Sequence, residues 1–359
     1  MTSRIRVLVA DHSTVIRRLV AEALHADPEF EVYAASNCQD AVAQIPHVRP
    51  DVVLLDLAIP TAEGIDAVHA IRSCDSSLPI LMLCRSSEAN GDQLFKAMAR
   101  GASDYLTKAI RIGHVDAAVQ YFRRHLPPKI RLLTQRKGTA ASPNAAQRAA
   151  VSEGQESAKA VEIVVVGTSS GRWNELATFL SQLPDDLPVP VLVAHHMAPA
   201  LTHLIVQRLA TVCPLPIAEA VAGNALEPGQ VWLAPGEQTL TIAEVHGLKC
   251  LATGLDQSLN ASRSLIDSLF RSAVRHYRSG VVGVVVTGSS DDGRNGSRLV
   301  LEAGGQVLVQ DRVAASEFFP DSISSSAQAP QHFRSMEAIA HETIRLIRAC
   351  DANAESALA

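Results

Sequence analysis

Aromatic residues make up only 4% of the 359-residue chain, which removes the stacking platforms that single-stranded nucleic acid needs. Charge of one sign is also missing: 32 basic against 37 acidic residues leave a net charge of −5, with no excess to neutralise nucleic-acid phosphates. No apolar run approaches the roughly 20 residues required of a membrane-spanning helix. The six cysteines (Cys38, Cys74, Cys84, Cys213, Cys250 and Cys350) include no CxxC pair and read as reduced thiols. Met1 leads almost directly into Val7-Leu8-Val9-Ala10 without signal-peptide architecture. The expectation is a cytoplasmic protein with no membrane insertion and no nucleic-acid partner.

What is present is an apolar fraction of 47% with 19% charged residues, which excludes disorder over the whole chain, and a length that suggests two domains. From residue 1 to 126, short apolar runs at Arg6–Ala10, Glu31–Ala34, Val52–Asp56, Pro79–Cys84 and Asp104–Leu106 alternate with helical patterns. Val15, Ile16, Leu19, Val20, Ala23 and Leu24 form one such helical stripe. Alternation of this kind predicts a parallel sheet wrapped by helices, in flavodoxin-like order. Residues 127–160, rich in Ala and basic residues and without an aromatic, read as a linker.

A second alternation runs through Val161–Gly167, Val189–His195, Gln230–Ala234, Val281–Thr287 and Gln306–Gln310. A hairpin, Thr239–Ala243 with Lys249–Ala252, is inserted around His246-Gly247. The fold class is therefore α/β, two doubly wound parallel-sheet domains, the second Rossmann-like over residues 161–350, with 351–359 as a tail.

Ligands of open α/β sheets bind at the carboxyl ends of the strands. In the first domain these ends carry Asp11, Asp56 and Lys108. Close acids favour a divalent cation, a carboxylate beside it can attack a phosphoryl donor, and the lysine counters the added charge. Through Val9-Ala10-Asp11-His12-Ser13, Leu55-Asp56-Leu57-Ala58-Ile59-Pro60 and Tyr105-Leu106-Thr107-Lys108 the segment resembles a two-component receiver domain. The resemblance implies Asp56 as phospho-acceptor, Asp11 and Asp56 as Mg²⁺ ligands, Lys108 as the phosphate contact and Tyr105 as the switching aromatic. His12 stands where receivers carry a second acid, Cys84 replaces a Ser or Thr, and Ala109 replaces a Pro. Imidazole is a poor ligand for Mg²⁺ and a thiol a weak donor, so Mg²⁺ binding and phosphorylation are expected to be weakened.

In the second domain, strand Ile163–Val166 runs into Gly167-Thr168-Ser169-Ser170-Gly171 and then a helical pattern through Trp173, Leu176, Phe179 and Leu180. A serine at a strand-to-helix turn, beside unpaired helix N–H groups, suits nucleophilic chemistry with an oxyanion site. The rival reading, a phosphate cradle, lacks the Walker lysine. Strand Val191–Ala194 ends in His195-His196, either of which offers a base, and Thr287-Gly288-Ser289-Ser290-Asp291-Asp292-Gly293 offers a carboxylate to orient it.

Together with Ala234-Pro235-Gly236, these segments resemble the catalytic domain of chemotaxis protein-glutamate methylesterases, the CheB family, and the order of receiver, linker and esterase matches too. The resemblance implies Ser169 as nucleophile, His196 as general base and Asp292 as its partner, with Ser170 and Ser289 in the oxyanion and substrate region. It also implies hydrolysis of glutamate methyl esters on chemoreceptors, glutamine deamidation, no cofactor for the esterase, and a chemotaxis histidine kinase as phosphoryl donor. In the family the unphosphorylated receiver covers the esterase groove. Arg172, Thr239-Leu240, Arg263-Ser264-Leu265 and Phe318-Phe319-Pro320 depart from the family pattern and alter the groove. The alternatives are a catalytically silent chemosensory regulator and a serine hydrolase with another ester substrate.

Overall fold

The computed structural model describes residues 4–59, 64–85, 91–108, 115–135, 160–168, 173–254, 264–286, 292–310 and 330–356. The chain divides into two compact units, residues 1–139 and 140–359.

The first unit alternates strictly: β1 (Ile5–Ala10), α1 (Thr14–His25), β2 (Phe30–Ala35), α2 (Cys38–Val48), β3 (Val52–Asp56), α3 (Gly64–Cys74), β4 (Ile80–Cys84), α4 (Gly91–Ala99), β5 (Asp104–Thr107) and α5 (Val115–Gln135). Its sheet is parallel in the order β2-β1-β3-β4-β5, the flavodoxin-like order expected. β3 and β4 are buried at every position, as a sheet covered by helices on both faces requires. The stripe of α1 packs its Ile16, Leu19, Val20, Ala23 and Leu24 into the core, and Ser13 caps the helix by accepting from Ile16 N–H.

The stretch read as the start of a linker is helix from Pro127 as far as Gln135. Two prolines inside a helix cost about 3 kcal/mol or more each, which is why they read as a stop. Past them, however, Ile130 and Leu133 are buried, extending the stripe of Ala118, Val119, Phe122 and Leu126. Burying each such aliphatic side chain returns about 1.5–3 kcal/mol. Polar ties add to this: Lys129 Nζ lies 2.6 Å from Asp104, while Arg131 reaches Asp27 at 2.5 Å and Glu29 at 2.7 Å.

The second unit holds a seven-stranded, all-parallel sheet in the order β14-β13-β12-β6-β7-β9-β8. Its strands are β6 (Ile163–Thr168), β7 (Val191–His195), β8 (Ile217–Glu219), β9 (Val231–Leu233), β12 (Val281–Val286), β13 (Gln306–Gln310) and β14 (Gln331–Phe333). Around it lie α6 (Trp173–Ser181), α7 (Pro199–Ala210), α8 (Leu265–Tyr277), α9 (Arg294–Glu302) and α10 (Met336–Ser356). The expected tail is therefore helical as far as Ser356. β8 and β14, which flank the sheet, have three residues each, too few for a periodic signal.

The hairpin is β10 (Thr239–Val245) with β11 (Leu248–Gly254). His246 and Gly247 both have positive φ, 52° and 78°, the pattern of the two-residue turn that matches strand twist. Leu240, Ile242 and Leu251 join the core with Leu269 and Phe270 of α8.

Candidate active site and receiver pocket

The carboxyl ends of β6 and β7 lie side by side, since Thr168 and His195 are register partners. The two histidines that close β7 meet opposite fates. His195 is 1% exposed, its Nε2 lies 2.9 Å from the carbonyl oxygen of Ala234, and burial pushes its imidazole down to about 4. At neutral pH it is an uncharged packing element that donates to that carbonyl. His196, one residue on, leaves the strand and is partly exposed; its Nε2 stands 2.7 Å from Oδ2 of Asp292.

Asp292 arrives from the far side of β6, in the segment between β12 and α9, and its side chain is 4% exposed. Such a carboxylate needs donors, and α8 supplies them: Ile266 N–H gives to Oδ2 at 2.9 Å and Asp267 N–H to Oδ1 at 3.0 Å. These are orphan amides of the first helical turn, where the helix dipole also favours negative charge. Close approach of α8 to β6 permits this, because a Cβ on Gly167 would lie 2.3 Å from Cγ2 of Ile266. With the Nε2 proton given to Asp292, Nδ1 keeps the lone pair that a general base needs. Ser169, Ser170 and Ser289 lie outside the described residues; β6 ends at Thr168, the residue before Ser169, and α6 opens at Trp173.

In the first unit the structure brings Asp11, Asp56 and Lys108 together. Lys108 Nζ bridges the two acids at 2.6 Å from Asp11 Oδ2 and 2.7 Å from Asp56 Oδ1. Ser13 N–H gives to the other oxygen of Asp11, and His12 Nδ1 lies 2.9 Å from the other oxygen of Asp56. Burial pushes the Asp11 carboxyl up, and Lys108 pulls it back in part. Asp11, His12 and Asp56 offer three ligand atoms within 4.8 Å of one another, a set with two hard oxygens and one imidazole. Asp11 and Asp56 thus fit a divalent cation, and His12 fits Mg²⁺ less well than a carboxylate does.

Cys84 closes β4 beside this pocket. Burial drives its thiol up to about 12, and its Sγ faces the Leu106 carbonyl at 3.9 Å, so it remains a protonated, weak donor. Tyr105 is buried in β5. One functional candidate escaped sequence reasoning: Asp267, buried in the first turn of α8. Its sequence signal was an acid three residues after Ser264 at a helix start, which reads as an ordinary cap.

A flavodoxin-like sheet with an Asp-Asp-Lys pocket, followed by an all-parallel sheet with a His–Asp pair at its carboxyl edge, is the architecture of a receiver joined to an α/β domain. Residues 7–120 match the family model for the response regulator receiver domain, and residues 164–343 that for CheB methylesterase. The chain belongs to the CheB methylesterase family. It is 30% identical over 349 residues to the protein-glutamate methylesterase/protein-glutamine glutaminase of Trichodesmium erythraeum, covering 96% of this chain and 99% of that one. It is 36% identical over 319 residues to the protein of the same name from Nocardioides sp., with 87% of each covered. Among solved structures it is similar to the CheB methylesterase catalytic domain of Thermotoga maritima, at 27% identity and a TM-score of 0.45, over 53% of this chain and 99% of that one.

Proposed function

We propose that the protein hydrolyses glutamate γ-methyl esters on methyl-accepting chemoreceptors, releasing methanol, and deamidates glutamines by the same chemistry. The observation that carries this reading is the His196–Asp292 pair, 2.7 Å long and held at the carboxyl edge of the sheet next to the chain position of Ser169. In the reaction, Nδ1 of His196 takes the hydroxyl proton as Ser169 attacks the ester carbonyl. Backbone N–H groups at the start of α6, with Ser170 and Ser289 nearby in sequence to the reacting groups, receive the developing oxyanion charge. The tetrahedral species collapses, the C–O bond to methoxide breaks, and His196 returns the proton so that methanol leaves. Water, deprotonated by His196, then cleaves the acyl-enzyme to the glutamate carboxylate and restores Ser169. Asp292 keeps the imidazole in one tautomer and stabilises its transient positive charge. No cofactor enters these steps.

Regulation is assigned to Asp56, phosphorylated by a chemotaxis histidine kinase. Asp11 and Asp56 would hold a Mg²⁺ ion, which would supply charge neutralisation at the phosphoryl oxygens. Lys108, 2.7 Å from Asp56, takes the phosphoryl charge in this reading, with Cys84 and Tyr105 in the switch. Methanol release from a methylated receptor cytoplasmic fragment tests the reading, using the full chain, Ser169→Ala as control, and a small phosphoryl donor. Release by the native chain alone is expected, rising with the donor. No release by folded protein in either condition removes the assigned substrate and favours a silent regulator. Equal release with and without donor removes the switch.

A further inference from the structure

Neither α8 nor α9 has a side-chain cap of its own. Ser264, at the head of α8, makes no side-chain bond to its helix, and the head of α9 is Gly293, which has none to make. Each is capped by an aspartate from the other's segment. Asp292, one residue before Gly293, accepts from Ile266 and Asp267 at the start of α8. Asp267, in the first turn of α8, accepts through Oδ1 from Gly296 N–H at 2.7 Å and Gly293 N–H at 3.1 Å, and through Oδ2 from the Asn295 side-chain amide at 3.3 Å. The helices meet closely at this point: a Cβ on Gly296 would lie 2.6 Å from Cβ of Phe270 and 3.1 Å from Cα of Asp267. Gly293 sits at φ 99°, a left-handed turn that aims the preceding residue back at α8.

We propose that Asp267 is a positioning residue for the hydrolase: it fixes the backbone at Gly293 and so holds the Asp292 carboxylate on His196. The inference rests on the esterase reading of that pair. A buried carboxylate with three donors is expensive to displace, so the exchange of caps sets Asp292 from both sides, through its own oxygens and through the backbone that follows it. Without Asp267, Gly293 and Gly296 lose their acceptor. The backbone that carries Asp292 then loses one of its two restraints, and a displacement near 1 Å in a catalytic array lowers turnover on the order of 100-fold.

The test uses the full chain with Asp267→Ala, Asp267→Asn and Asp292→Asn, alone and combined. The proton shared by His196 and Asp292 should give a far-downfield ¹H resonance that needs no substrate and is identified by its loss in Asp292→Asn. The expected result is loss of that resonance in Asp267→Ala and a fall in kcat of about 100-fold with KM nearly unchanged. Asp267→Asn keeps an oxygen for Gly293 and Gly296 and should retain the resonance, with kcat within about tenfold of the native chain. In the Asp292→Asn background, Asp267→Ala should lower kcat no further. The proposal is overturned if folded Asp267→Ala keeps the native resonance, or if its effect multiplies with that of Asp292→Asn, as an independent structural defect would. Should Asp267→Ala not fold, Asp267→Ser, too short to reach Gly293, carries the same expectations. Failure of the native chain to turn over any ester strikes the esterase reading alone, because the resonance is read without substrate.

Discussion

Adjacent histidines at the end of one strand do different work because successive strand residues face opposite ways, and only one of the two leaves the sheet. His195 gives its proton to the Ala234 carbonyl inside the protein, while His196 meets Asp292. Replacing Asp292 with Asn should leave the fold intact and lower kcat by about 10⁴-fold, because the amide presents the wrong group to the imidazole; steady-state methanol release measures this. In the receiver pocket the decisive position is His12. Exchanging it for Asp supplies a hard oxygen beside Asp11 and Asp56, and calorimetric titration should show Mg²⁺ binding tighter by about tenfold or more. At this scale the sequence carried Asp11, Asp56 and Lys108 because each falls at a strand end. It left His195 and His196 unresolved, since burial is a property of the packed strand and not of the dipeptide.

Among the elements, the longer strands and the order of the first sheet were legible because buried parallel strands are short apolar runs with punctuated ends, whereas the three-residue β8 and β14 were not. The hairpin announced itself through His246-Gly247, which adopts the two left-handed conformations its turn demands. α5 was cut short at Pro127 because local propensity says stop, whereas burial of Ile130 and Leu133 on the core decides otherwise. The exchanged caps of α8 and α9 were invisible in sequence, as their partners lie about 25 residues apart. Close approach of elements yields a further prediction. A Cβ on Gly236 would lie 2.6 Å from both N and Cα of Pro199 and 2.8 Å from the carbonyl carbon of Ala198, all of it backbone that cannot rotate away. Gly236→Ala should therefore destabilise the protein by about 1–3 kcal/mol, seen as a lower Tm. It should also reduce kcat, because His196 lies just before the displaced start of α7.

For the molecule as a whole, acid has a defined point of attack. His195 is neutral in the folded state down to about pH 4, whereas the unfolded chain takes up its proton near 6.5. Above 6.5 both states are neutral and the residue adds no pH dependence; below it the unfolded state binds the extra proton and is favoured. The second unit should thus lose about 3 kcal/mol of stability between pH 6.5 and 4. Denaturant melts of the native chain and of His195→Gln across that range check this, and the variant should show the flatter profile. Among the described residues no helix is long and apolar enough to cross a membrane. The seven-stranded sheet ends at both margins in strands of only three residues, β8 and β14. Among the described residues each margin is a ladder of only three residues, so a sheet otherwise rich in valine and leucine offers little template for fibril growth or strand exchange between copies.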